Sequence, residues 1–322
     1  MGSCMSVHVG DTIIPAKKPP DLIQADRPLV FDSPKKASEP DAKVPAKASE
    51  RVWASLLHQR IRFTEQVDYA LGKGTLEAVA ADMRKQRAVC ILKFRSLQSA
   101  ADHLEQSALA TMFKEQLDVL ADLAASETPA PLWKAECRFY RVESDTPVVC
   151  RCGDLEHAVG ERFQAQEVLV CTPQTREFRR TYLAACCSPG QLLFVNGPDG
   201  TGKTESAVDT AHMLGVGCTV FKCGEGLTPE VVADTLRDAD PSSPAIFYCF
   251  GTLSPDDQTA VVAAAGEKRF VVCTCNLDAA AASKVPPTIS GRKLVFHTME
   301  RLQLLRIFQV DKSQPETRNP HS

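Results

Sequence analysis

The residues with the clearest chemical potential are 197–204, which read GPDGTGKT. They fit the pattern G-x-x-x-x-G-K-[ST] in full, and the buried-strand pattern LLFV precedes them. Glycines let successive backbone N–H groups converge on phosphate, and a helix that starts directly afterwards adds the positive end of its dipole. In such a loop Lys203 reaches the β- and γ-phosphates, and Thr204 offers its hydroxyl to Mg²⁺. The sequence therefore predicts a site for ATP or ADP, with or without Mg²⁺.

The predicted contact residues cover the whole loop and the residue after it. They are Gly197, Pro198, Asp199, Gly200, Thr201, Gly202, Lys203, Thr204 and Glu205, with Thr204 as the metal ligand. The alternative is a relic loop that keeps its shape and binds nothing.

Hydrolysis needs a carboxylate at the end of a neighbouring strand, to hold Mg²⁺ and to polarise water. Here the apolar run AIFYCF is followed by Gly251 and Thr252, and neither residue acts as a general base near neutral pH. Asp256 and Asp257 come later, in SPDD, where Ser-Pro followed by acids predicts a helix N-cap and first turn. We therefore predict no catalytic residue; a substitute role for these two acids is the alternative.

The first six residues, MGSCMS, carry a possible lipidation signal. Gly2 and Ser6 match the pattern for N-myristoylation, and Cys4 is placed for S-palmitoylation. One myristoyl chain binds a membrane only marginally, so an acyl group on Cys4 would complete the anchor. The prediction is dual acylation and membrane contact; the alternative is a coincidence at the start of the chain.

Composition narrows the class of protein. The 322 residues are 44% hydrophobic and 24% charged, which is typical of a soluble globular protein. A net charge of −3 gives no global attraction to nucleic acid, and no apolar run approaches the ~18 residues of a membrane span. No apolar signal segment opens the chain, so we do not expect secretion. Thirteen cysteines without a CxxC…CxxC pattern favour reduced thiols over disulfides or zinc.

The pattern along the chain predicts four parts. Residues 1–50 are a disordered tether, 51–130 a helical subdomain, 131–310 an α/β domain, and 311–322 a disordered tail. The helical part includes one long stretch from LKFRSL to LADLAA. The α/β part begins with strands in LWKAECRFYRV, PVVCRC and EVLVCTP. The segments CTVFKC, PEVVADTLRDA, AIFYCF, DDQTAVVAAAGE and RFVVCTCN then alternate strand and helix. This alternation predicts a parallel sheet.

Several of these stretches resemble the dynein heavy chain, at the end of its linker and its first AAA+ module. VLVCTPQTREFRRTYLAAC is similar to the family's RLVITPLTDRCYRTL, and the loop with its helix is similar to GPAGTGKTET. CFGT stands where the family has CFDE, so Gly251 and Thr252 replace both Walker B acids. CTCNLDAAAASKVPPTI is similar to the family's TMNPGYAGR segment, which places Asn276 at the sensor that contacts the γ-phosphate or the attacking water.

The resemblance implies an α/β fold of the P-loop NTPase, AAA+-like type, preceded by a linker-like helical subdomain. Together with the loss of both Walker B acids, it implies a non-hydrolysing ATP-binding protein that serves a structural or regulatory role in a ciliary or cytoskeletal assembly. Its partners would be nucleotide and the proteins of a dynein-related or axonemal assembly. Its location would be the cytoplasm, with the cytoskeleton and a cilium or flagellum. Nucleic acid is not an expected partner. By the same comparison we expect the helical lid to be largely missing from these residues, and the other AAA+ modules and the stalk to be absent from them. A lipid-anchored adaptor with a vestigial loop, and a slow ATPase completed by a partner, are the alternatives.

Overall fold

The computed structural model describes residues 46–94, 96–142, 148–162, 168–187, 192–224, 226–266, 269–276 and 291–297. Most of the predicted tether, the tail, and the lipidation residues Gly2 and Cys4 lie outside this part of the chain. None of the helices in the described ranges is long and apolar enough to cross a bilayer. The three boundaries between the four predicted parts stay predictions.

Three long helices form the helical region, as predicted. They are α1 (Ala46–Lys73), α2 (Leu76–Phe94) and α3 (Ala100–Ala125), followed by the short helix α4 (Pro129–Lys134). Their shared core includes Val67, Met83 and Phe113, each at most 3% exposed. The continuous helix that we predicted from LKFRSL onward is wrong, because α2 ends at Phe94 and α3 begins six residues later. The Ser96 hydroxyl donates a hydrogen bond to the carbonyl of Lys93, which competes with continuation of the helix.

A small antiparallel sheet follows the helices. It consists of β1 (Arg138–Arg141), β2 (Val148–Cys152) and β3 (Leu155–Ala158), in the order β1-β2-β3. The strand predicted for LWKAECRFYRV is correct only in its second half. Its first residues belong to α4, because Pro129 occupies the N-terminal turn, where its fixed φ favours a helix.

The second half of the chain is an α/β unit around a parallel sheet of five strands. The strands are β4 (Leu192–Asn196), β5 (Thr219–Lys222), β6 (Ala245–Tyr248), β7 (Val271–Cys275) and β8 (Arg292–Val295), in the order β5-β6-β7-β4-β8. The helices are α5 (Pro173–Cys186), α6 (Lys203–Met213), α7 (Pro229–Arg237) and α8 (Pro255–Ala265). Hydrophobic clusters cover both faces of the sheet, so almost every residue of its central strands is buried. The predicted α/β class and parallel sheet are confirmed.

One predicted strand is wrong. Residues 168–172, within EVLVCTP, form no strand, and Pro173 begins helix α5 instead of ending a strand. The side chain of Thr172 caps this helix by accepting a hydrogen bond from the backbone N–H of Thr175. A short apolar run does not by itself distinguish a strand from a buried loop.

Candidate functional site: a phosphate loop at the sheet edge

The candidate site lies where β4 ends and α6 begins. The loop between Asn196 and Lys203 contains three glycines with positive φ: +152° at Gly197, +72° at Gly200 and +78° at Gly202. Only glycine adopts these values without strain, so the glycine pattern of the sequence determines the shape of the loop. Residues with side chains would direct the backbone elsewhere.

The start of the loop is held between two strands. The backbone N–H of Gly197 donates to the carbonyl of Cys275, and Phe296 donates to the carbonyl of Asn196. A Cβ atom at Gly197 would lie 2.3 Å from the carbonyl oxygen of Phe296. The close packing of the backbone against β8 therefore requires glycine at this position.

Lys203 is the first residue of α6 and is 4% exposed. Its ammonium group donates to the carbonyls of Pro198 (2.6 Å) and Gly197 (3.1 Å), and lies 3.4 Å from the hydroxyl of Thr201. Burial lowers the pKa of Lys203, against the charges of Asp199 and Glu205, which raise it. The loop thus encloses a cation at a helix N-terminus, an arrangement suited to phosphate.

The hydroxyl of Thr204, the predicted metal ligand, lies 3.1 Å from that of Thr274 on β7. Within the described ranges, no group of three or more His, Cys, Asp or Glu side chains could hold a metal ion. Thr204 alone is a weak donor set for Mg²⁺, which prefers carboxylates and phosphate oxygens. The residues present therefore suit phosphate better than they suit a metal held by protein.

Asp199 and Asn276, which were both assigned to the nucleotide site, contact each other directly, and the sequence did not predict this contact. Nδ2 of Asn276 donates to Oδ1 of Asp199 at 3.1 Å, and both residues are exposed. The pKa of Tyr248, at the end of β6, is raised to about 12 by its hydrogen bond to Cys249, by burial, and by the charges of Asp199 and Glu205. Asp199 of the loop and Glu205 of α6 therefore both lie near the end of β6.

The chain turns sharply after β6. Cys249 has φ +58° and ψ +36°, the left-handed region that is unusual for a residue other than glycine. The next three residues, Phe250–Thr252, form a 3₁₀ turn, in which the Thr252 hydroxyl donates to the carbonyl of Cys249 at 2.9 Å. Gly251 and Thr252 therefore lie in a turn beyond the strand, and the hydroxyl of Thr252 is bonded to its own backbone.

The later acids have the structural role that was predicted. Ser254 caps α8 by accepting a hydrogen bond from the N–H of Asp257 at 3.2 Å, and its hydroxyl donates to the Asp257 carboxylate at 2.7 Å. Asp256 lies in the same first turn, where the helix dipole favours a negative charge. The interpretation of SPDD as a helix start is confirmed.

Comparison with known proteins agrees with this geometry. Residues 160–240 match a protein-family model described as the hydrolytic ATP binding site of the dynein motor region. Dynein axonemal heavy chain 3 of Homo sapiens is 30% identical over 177 residues, which are 52% of this chain and 4% of that protein. Dynein axonemal heavy chain 5 of Rattus norvegicus is 25% identical over 183 residues, 55% of this chain and 5% of that protein. Cytoplasmic dynein 2 heavy chain 1 of Rattus norvegicus is 28% identical over 187 residues, which are 53% of this chain and 4% of that protein.

Among solved structures, the Thermotoga maritima RuvB Holliday junction branch migration motor is similar, with a TM-score of 0.36 and 15% identity. The likeness covers 42% of this chain and 49% of that one. The family-model match and the sequence relatives confirm the predicted resemblance: this chain is similar to dynein heavy chains. Its described residues form an α/β fold preceded by a helical region. It spans about a twentieth of the length of these relatives.

Proposed function

We propose that this dynein heavy chain-like chain binds ATP or ADP without hydrolysing it, and acts as a structural or regulatory component of a ciliary or cytoskeletal assembly. The observation that carries the proposal is Lys203. Its buried ammonium bonds to carbonyls of its own loop, at the N-terminus of α6. A phosphate group would offer this cation oxygen acceptors in place of those carbonyls.

The contact residues are those of the loop, residues 197–205, and Asn276. Backbone N–H groups of the loop would hold phosphate, Lys203 would neutralise its charge, and Asn276 would donate to a phosphate oxygen the amide N–H that Asp199 leaves free. Mg²⁺, where it accompanies the nucleotide, would take the Thr204 hydroxyl and phosphate oxygens as ligands. Magnesium would supply charge neutralisation between the β- and γ-phosphates.

The turn after β6 supports the proposed lack of turnover. Gly251 has no side chain, and the Thr252 hydroxyl donates to the carbonyl of Cys249. No group in this turn can accept a proton from water near neutral pH, and the loss of general-base help typically costs about 10²–10⁴ in rate. Asp257 is engaged in the cap of α8. A bound nucleotide would then act as a structural ligand, which at ~100 times its dissociation constant adds ~2.7 kcal/mol of stability.

The test is a titration of the purified chain with a fluorescent ATP analogue, with and without Mg²⁺, beside a Lys203→Ala variant. We expect binding in the micromolar range that the variant loses and that Mg²⁺ changes little. A matched control is Lys222→Ala, which removes an exposed lysine at the end of β5 and should leave binding intact. Absence of binding to the folded, unmodified chain would make the loop a relic and reject the proposal.

The non-hydrolysing part is tested separately by multiple-turnover phosphate release. We expect no release above that of the Lys203→Ala protein. Release that this variant abolishes would instead establish a slow ATPase, and repeating the assay with candidate partners would show whether another chain accelerates it.

The assembly partners and the membrane anchor are further parts of the proposal. The names of the axonemal relatives support a ciliary or cytoskeletal setting. Acylation of Gly2 and Cys4 rests on the sequence pattern alone. Metabolic labelling with alkyne analogues of myristate and palmitate tests it, with Gly2→Ala expected to abolish the first label and Cys4→Ser the second.

A further inference from the structure

The phosphate loop of this chain carries an acid among its small residues. Oδ1 of Asp199 accepts a hydrogen bond from Nδ2 of Asn276 at 3.1 Å, across a sequence separation of 77 residues. The contact joins the loop to the end of β7. Both residues are exposed, so the charge of the carboxylate faces the open side of the loop.

The charges at this edge of the sheet do not all favour an anion. Lys203 supplies one positive charge, whereas Asp199 and Glu205 both lie close enough to affect the pKa of Lys203 and that of Tyr248. Like charges repel, and a nucleoside triphosphate brings one more negative charge to the loop than the diphosphate does. A carboxylate on the loop therefore opposes the triphosphate more than it opposes the diphosphate.

The hydrogen bond of Asn276 acts in the same direction. Its amide has two N–H donors, and one of them is engaged by Asp199. A γ-phosphate that sought this amide would have to compete with the carboxylate for it. A diphosphate, which lacks that group, would leave the pair undisturbed.

We infer that Asp199 is a specificity-determining residue that makes the loop prefer a nucleoside diphosphate over the corresponding triphosphate. The inference rests on the proposed function, since it requires that the loop binds nucleotide. It identifies the nucleoside diphosphate as the form of nucleotide that occupies the site. Because the proposed function excludes hydrolysis, this diphosphate binds from solution and is not produced at the site. The carboxylate repels the third phosphate and holds Asn276 away from it.

The experiment compares the dissociation constants of ADP and ATP by isothermal titration calorimetry, with and without Mg²⁺, for the unmodified chain and Asp199→Asn. Asparagine keeps the size of the side chain and removes its charge. We expect the unmodified chain to bind ADP about tenfold or more tightly than ATP, a factor that corresponds to about 1.4 kcal/mol. In Asp199→Asn, the affinity for ATP should rise about tenfold, and that for ADP should change by less than about threefold.

A matched control is Asp256→Asn, which removes the same charge from the exposed first turn of α8. The ratio of the two affinities should stay at the unmodified value in this variant. Thermal unfolding of each protein establishes that a changed ratio does not reflect a damaged fold.

The outcomes separate the two proposals. Equal affinities for ADP and ATP, unchanged in Asp199→Asn, would overturn this inference and leave the nucleotide site intact. Weaker ATP binding by Asp199→Asn in Mg²⁺ alone would also overturn it, because the carboxylate would then be a metal ligand. No binding of either nucleotide by the unmodified chain or by Asp199→Asn would reject the proposed function and this inference together.

Discussion

Arg179 and Asp209 form a buried ion pair that joins α5 to the helix following the phosphate loop. Nη2 of Arg179 lies 3.0 Å from Oδ2 of Asp209, and Nη1 lies 2.5 Å from Oε1 of Glu115 on α3. The arginine side chain is 3% exposed, and those of the two acids are 7% and 14% exposed. One guanidinium group thus connects the helical region to the helix that begins at Lys203.

Replacement of this guanidinium should destabilise the whole fold. Arg179→Met removes the partner of Asp209 and one of the two guanidinium groups beside Glu115. The removal of one member of a buried pair typically costs about 3–5 kcal/mol. The free energy of unfolding, measured by urea denaturation, should fall by that amount.

The control for this prediction is an ion pair at the surface. Arg237→Met removes the partner of Asp234, and both side chains of that pair are more than 60% exposed. Solvent screening makes such pairs weak, so we expect almost no change. Equal losses in the two variants would show that the burial of Arg179 does not determine its contribution.

The stability that Glu115 contributes should depend on pH. Burial by itself raises the pKa of Glu115, but the guanidinium groups of Arg179 and Arg60 outweigh it, and the pKa lies below its ordinary value of 4.5. A lowered carboxyl pKa stabilises the folded state above the unfolded-state pKa, and this stability is lost as the pH falls through the folded-state pKa. Urea unfolding of the unmodified chain and Glu115→Gln from pH 7 to pH 3 checks this.

We expect the difference in unfolding free energy to be constant above about pH 4.5 and to shrink below it. Glu127→Gln is the matched control, because Glu127 is exposed in the loop after α3. It should show almost no difference at any pH. A Glu115 difference that stays constant or grows toward low pH would contradict the assignment of a charged, paired carboxylate.

Features set by neighbouring residues were predictable from the sequence. The glycines of the loop and the Ser-Pro that starts α8 act through local backbone conformation, so their patterns carry the structure. The contacts of Arg179 with Glu115 and of Asp199 with Asn276 span 64 and 77 residues. Nothing in a local pattern specifies which distant side chain an arginine or a loop acid will meet. The strand predicted before Pro173 was wrong for a related reason. Whether a short apolar run joins a sheet depends on distant residues, which its own pattern does not specify.

The backbone packing of Gly197 should make it the least replaceable glycine of the loop. A Cβ at Gly197 would lie 2.3 Å from the carbonyl oxygen of Phe296, and the residue also has φ +152°. At Gly200 a Cβ would meet nothing within 4 Å, although φ is +72°. Gly200→Ala should therefore cost about 1–2 kcal/mol of unfolding free energy from strain alone, and Gly197→Ala more.

Urea denaturation of the two variants measures this order, with Gly200→Ala as the control for backbone strain. The titration with the ATP analogue shows whether the loop still binds. An equal or smaller loss in Gly197→Ala would mean that β8 moves away from the loop with little resistance.

Glycine at position 249 should give a more stable protein than alanine, because the φ of +58° at this position strains any residue with a side chain. The strain of about 1–2 kcal/mol is partly offset by the greater freedom of glycine in the unfolded chain, about 0.5–1 kcal/mol. The free energy of unfolding of Cys249→Gly, measured in urea, should thus be about 0.5–1 kcal/mol higher than that of Cys249→Ala. At Cys90, inside α2, the same two substitutions should show the opposite order, with glycine about 1 kcal/mol less stable. If the glycine and alanine variants ranked in the same order of stability at both positions, the turn after β6 would relax out of the left-handed region. The hydrogen bond from the Thr252 hydroxyl to the carbonyl of Cys249 would then not hold the backbone at residue 249 in that region.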